Sequence, residues 1–126
     1  MNGRKVVLII DDEIDLSLLL KSYFLRKNFE VFLSHSVADG MQKIDEVKPD
    51  ILFLDNNLPD GEGWRIAPEV CRLHPDIRIN LISAYHPSLP DLPADARVRL
   101  IEKPIRLSDL DKEFEDNNIQ TEVPEQ

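Results

Sequence analysis

The stretch Ile51–Asp55, ILFLD, decides the fold. Four successive apolar residues end in a carboxylate, and Pro49 stands just ahead of them. A run that is apolar on consecutive residues suits a parallel strand covered on both faces, not one with a wet side. Its neighbours repeat the pattern. Upstream lie Lys5–Ile10 (KVVLII) and Glu30–Leu33; downstream lie Ile77–Ile82 and Val98–Ile101, all short runs of apolar or β-branched residues.

Segments of helical period separate these runs. Leu16, Leu19, Leu20, Tyr23 and Phe24 follow the i, i+3, i+4, i+7, i+8 spacing of one buried helix face. Val37, Met41, Ile44 and Val47 mark a second helix, with Ser36 as its N-cap and Asp39 three residues on. Pro49 closes that helix. A third is expected over Trp64–Leu73, with Pro68 near its first turns, and a last one over Leu107–Asp116. The alternation predicts an α/β fold, a doubly wound five-stranded parallel sheet in the flavodoxin-like order 2-1-3-4-5. The fourth crossover is irregular, because Pro87, Pro90 and Pro93 break any helix between Ser83 and Val98. The polar residues from Asn117 lack apolar period. One domain over residues 1–116, followed by a flexible acidic tail over 117–126, is the expected organisation.

Composition narrows the function. The chain has 126 residues, a net charge of −9 and one cysteine. Such a length buries a core without disulfides or structural metal. Cys71, flanked by apolar helix residues, reads as a small packed side chain in a reducing, cytoplasmic compartment. No segment is apolar for long enough to span a bilayer, and Met1–Lys5 leads straight into a strand, unlike a signal peptide. The negative charge argues against direct nucleic-acid binding, which rests on Lys and Arg contacts. It favours basic protein surfaces and divalent cations.

In a doubly wound sheet, ligands bind beyond the carboxyl ends of the strands, at the switch point between strands 1 and 3. Asp11 and Asp12 end strand 1, Asp55 ends strand 3, Ser83 ends strand 4 and Lys103 follows strand 5. Three carboxylates gathered there repel one another, each pair by about 4 kcal/mol at ~4 Å and an effective dielectric near 20. Lys103 alone offsets too little of this. Either one acid is protonated or a cation sits among them, and oxygen ligands in this number suit Mg²⁺. A metal, a hydroxyl and an ammonium around one carboxylate are the parts phosphoryl transfer needs, with Asp55 as the candidate nucleophile.

The chain resembles bacterial response-regulator receiver domains from Lys5 to about Asp116. The matching motifs are IIDDE (9–13), LDNNLPDGEG (54–63), LISA (81–84) and EKP (102–104), each weak alone and specific in this order at strand ends. The resemblance implies a two-component signalling switch. Asp55 would be the phospho-acceptor; Asp12, Asp55 and the backbone carbonyl of Asn57 would bind Mg²⁺, with Asp11 acting mainly through water. Ser83 would reach a phosphoryl oxygen, and Lys103, followed by Pro104 in an often cis bond, would pair with the phosphoryl group. Pro59 and Gly63 match the turn after the acceptor. A histidine kinase or histidine phosphotransfer protein would be the donor, and an unidentified protein the output partner; the resemblance also allows a homodimer. Such a domain catalyses only its own phosphorylation and dephosphorylation.

Three departures bear on how the switch is relayed. Leu100 stands where receivers often carry an aromatic rotor, Ala96–Arg97 replace a usual Gly-Ala pair, and prolines replace a regular fourth helix. They favour a different output surface, or a loop shift driven by Ser83. They also support an alternative: a receiver-like interaction module that does not use phosphate. A Mg²⁺-dependent aspartyl phosphohydrolase is the remaining reading, but it wants D-x-D at strand 1 and a cap domain. No phosphate-binding glycine motif is present for a nucleotide.

Other polar residues have plainer readings. Asp60, Gly61 and Glu62 form an ordinary turn. His35, His74 and His86 read as surface loop residues, and Trp64 as the residue fixing the third helix. Glu13 is either a metal neighbour or a helix-capping acid.

Overall fold

A computed structural model describes residues 3–84 and 88–115. Its elements run β1 (Val6–Ile10), α1 (Ile14–Arg26), β2 (Glu30–Ser34), α2 (Val37–Val47), β3 (Ile51–Asp55), β4 (Asn57–Leu58), β5 (Gly61–Glu62), α3 (Ala67–Leu73), β6 (Arg78–Ser83), β7 (Val98–Glu102) and α4 (Leu107–Leu110). The main sheet is wholly parallel in the order β2-β1-β3-β6-β7. This is the expected 2-1-3-4-5 arrangement, with a two-stranded hairpin, β4-β5, added after β3.

β3 is buried along its whole length because the sheet divides two cores. Leu52 and Leu54 face one, where Ile44 of α2 and Trp64, Val70 and Cys71 of the α3 region pack. Phe53 faces the other, among Leu20 and Phe24 of α1 and Leu110 and Phe114 at the end of the described chain. Consecutive side chains of a strand point to opposite faces, so an unbroken apolar run is what this position requires.

Helix boundaries follow local chemistry. The Ser36 side chain accepts a bond from Asp39 N at 3.1 Å, the expected cap of α2. α2 ends at Lys48 in the left-handed conformation, with Pro49 next. The third helix does not begin at Trp64: Gly63–Ile66 form a 3-10 turn and α3 starts at Ala67, with Pro68 in its first turn where a missing N–H costs nothing. The last helical segment runs from Leu107 to Glu115, close to the expected span, with α4 giving way to a π-helical turn over Asp111–Glu115. β6 is shifted by one residue, to Arg78–Ser83.

Among the described residues between Ser83 and Val98 there is no helix. Leu92 and Ala96 still rest on the core, and Ala96 N donates to Pro93 O at 3.0 Å. The expected tail over 117–126, and His86 and Pro87, lie outside the described residues.

Candidate functional site

The parallel register brings the strand ends together. Ile10 pairs with Leu54 and Ser34, Asp55 with Ile82, and Ser83 with Glu102. Asp11, Asp55, Ser83 and Lys103 therefore emerge at one edge, with Asp12 beside them. A cavity of about 390 Å³ opens there, bordered by Asp12, Asp55, Asn57, Ser83 and Lys103.

Each acid sits differently. Asp11 is fully buried; its N–H donates to Ser34 O at 3.0 Å and its Oδ1 accepts from Glu13 N at 2.8 Å. Asp55 is 2% exposed, and Asp12 is exposed. One carboxylate oxygen from each of the three lies within 4.8 Å of the others. Lys103 Nζ is 3.6 Å from Asp11 Oδ2 and 3.5 Å from Asp55 Oδ1, and donates to Glu13 Oε1 at 2.7 Å. Glu13 is thus neither a side-chain cap of α1 nor one of the clustered acids; it takes part of the charge of Lys103. The Lys103–Pro104 bond is cis.

Burial and close charges set the electrostatics of the site. Burial, then the charge of Asp11, push the Asp55 carboxyl up to about 6, against an opposing pull from Lys103. Burial also raises the Asp11 carboxyl. Burial pulls the Lys103 ammonium down, but Glu13, Asp11 and Asp55 outweigh it and hold it above the ordinary lysine value. Among the described residues, Asp11 Oδ2 and Asp55 Oδ2 are buried without a hydrogen-bond partner. A buried acceptor left unsatisfied costs about 1–3 kcal/mol, more if charged. A hard divalent cation ligated by oxygen meets this demand, so the donor set fits Mg²⁺.

The loop after Asp55 is tightly tied. Gly63 N donates to Asn56 O at 2.9 Å, and Trp64 N to Asn56 Oδ1 at 3.0 Å. Trp64 is buried and its Nε1 donates to Leu54 O at 3.1 Å, so it fixes β3 as well as the α3 region. A Cβ on Gly63 would lie 2.0 Å from Asp55 O, so only glycine fits.

Two plain readings need correction. Asp60 is more than a turn former: its Oδ1 accepts from Val37 N at 2.7 Å and its Oδ2 from Ala38 N at 3.0 Å, capping α2 from another loop. The same amides hold its carboxyl below the usual range. His74 is partly covered and stands 3.4 Å from Asp45 Oδ1. His35 is exposed as expected, but its Nδ1 lies 2.9 Å from Asp11 O. Cys71 is buried, and burial pushes its thiol up, so it is a packed residue.

A doubly wound sheet with three acids, a hydroxyl and a lysine at its switch point defines a class, and sequence comparison names it. The model of the response regulator receiver domain family matches residues 7–115, and the chain belongs to that family. It is 29% identical over 82 residues to sporulation initiation phosphotransferase F of Bacillus subtilis, covering 63% of this chain and 64% of that one. It is 38% identical over 64 residues to the transcriptional regulatory protein TrcR of Mycobacterium tuberculosis, covering 51% of this chain and 25% of that one. The chain thus spans less than two thirds of these relatives. A receiver domain protein (CheY-like) from Methanospirillum hungatei superposes with a TM-score of 0.79 at 25% identity, covering 95% of this chain and 98% of the other. No helix among the described residues is long and apolar enough to cross a membrane.

Proposed function

We propose that this chain, as a receiver over residues 1–116, is a phosphorylation switch whose acceptor is Asp55. The observation that carries the reading is the Asp55 carboxylate: buried, with Oδ2 unpartnered, 3.5 Å from Lys103 and beside two further acids.

Asp12, Asp55 and the Asn57 carbonyl would hold Mg²⁺, with Asp11 linked through water. When bound, the ion neutralises charge on the phosphoryl oxygens during transfer. The chain's own residues do the rest. An Asp55 oxygen attacks phosphorus, the bond from phosphorus to the donor's imidazole nitrogen breaks, and its electron pair leaves with the donor. The product is an acyl phosphate. Lys103 pairs with a phosphoryl oxygen, and the Ser83 hydroxyl donates to another. Water later cleaves the acyl phosphate and returns Asp55.

A histidine kinase or histidine phosphotransfer protein fits as donor. Beside Lys103 a cavity of about 670 Å³ is lined by Ile14, Leu16, Ala84, Pro104 and Ile105. Ile14, Leu18 and Leu107 expose 56%, 49% and 42% of their surface, apolar area available to a docked partner. The output follows from protein–protein contact in the cytoplasm, and the charge of −9 makes direct nucleic-acid binding by this chain unfavourable.

Supplying Mg²⁺ with either an acyl phosphate or a stable phosphate ester separates the readings. The switch takes one phosphoryl group per chain from the acyl phosphate, releases it slowly and leaves the ester untouched. Steady, repeated turnover of the ester would establish a phosphohydrolase instead.

A further inference from the structure

Asp60 closes a circuit that no local feature of its turn requires. It stands at the tip of the β4-β5 hairpin, whose first strand begins at Asn57. The base of that hairpin is pinned by Asn56, which accepts from Gly63 N and Trp64 N. The tip is held by Asp60, through the two α2 amides at 2.7 and 3.0 Å, while Leu58 beside it is buried in the core. These amides belong to the corner between β2 and α2, which grips Asp11 on both sides. Asp11 N donates to Ser34 O at 3.0 Å, and His35 Nδ1 lies 2.9 Å from Asp11 O. One carboxylate thus ties the loop that follows Asp55 to the corner that holds Asp11.

We infer that Asp60 is a positioning residue of the acceptor site, holding the Asn57 carbonyl in register with Asp11, Asp12 and Asp55 through α2. The role rests on the receiver reading above. An atom that orients a metal ligand from outside the coordination sphere acts on affinity, and loss of such a contact typically costs 10–100-fold. α2 has its own cap in Ser36, so the helix start does not depend on Asp60 alone.

The test compares Asp60→Ala, Asp60→Asn and Ser36→Ala with the wild type. Each is titrated with Mg²⁺ while the fluorescence of Trp64, the single tryptophan, is followed, and unfolding is measured in parallel. Ser36→Ala weakens the same helix start without untying the hairpin. Asp60→Ala should raise the Mg²⁺ dissociation constant about tenfold. Asp60→Asn, which keeps one acceptor, should recover part of the loss, and Ser36→Ala should stay within about twofold of the wild type. Asp60→Ala within twofold of the wild type, or Ser36→Ala matching Asp60→Ala, would overturn the role while leaving the receiver reading intact. A wild type that binds no Mg²⁺ would overturn both.

Discussion

At the residue scale, Asp55 meets two opposed demands. Burial favours its neutral form, whereas the proposed acceptor role requires the charged one. Without metal its carboxyl lies at about 6, against 3.8 for the free side chain. Between those values the folded chain holds a proton that the unfolded chain has lost, so stability falls as pH rises through this window. The contribution is complete below 3.8 and gone above about 6; the shift corresponds to on the order of 3 kcal/mol. Urea unfolding with chelator present, from pH 4 to 7, should show this fall in the difference between the wild type and Asp55→Asn. A flat difference would contradict the assignment. The acids themselves were legible in the sequence because they follow apolar runs that could only be strands. Asp60 was not, since its partners lie 22 and 23 residues away and an Asp-Gly pair is an ordinary turn signal. The tie between Glu13 and Lys103 was hidden in the same way, spanning 90 residues.

At the scale of elements, the sheet is specified by pattern and the helix ends by contacts. Strand positions could be read because both faces of β1 and β3 are covered, which demands consecutive apolar residues. The start of α3 could not, because the bond from Trp64 Nε1 to Leu54 O and the proline at position 68 set a 3-10 turn first. The last helix is short, and aromatic packing holds it. The Phe24 ring lies 5.1 Å from Phe114, 5.6 Å from Phe53 and 5.2 Å from Phe29. Phe24→Ala should therefore cost about 3–5 kcal/mol in chemical denaturation and loosen the C-terminal turn. Hydrogen exchange of the amides over 107–115 would register this; unchanged exchange there would show that the helix is held by other means. Leu100, where an aromatic rotor was expected to be missing, is half-buried and packs on the same core as Leu92 and Ala96.

At the scale of the molecule, a chain of charge −9 gathers three acids at one end of its sheet and supplies them with one nearby lysine. Self-repulsion of this kind is relieved by a bound cation, and the relief is measurable as stability. Mg²⁺ at about 100 times its dissociation constant should add roughly 2.7 kcal/mol above pH 6. The gain should shrink in Asp55→Asn; equal stabilisation of both proteins would point to general screening. Fold and family were legible at this scale from strand order and four short motifs. The output surface was not, because the features that usually mark it are the ones this sequence replaces.

Phosphoryl transfer to Asp55 can be read from intact mass after incubation with Mg²⁺ and a small acyl-phosphate donor. The wild type should carry one phosphoryl adduct, dependent on Mg²⁺ and absent from Asp55→Asn. No adduct, or an adduct that survives in Asp55→Asn, would rule out Asp55 as the acceptor.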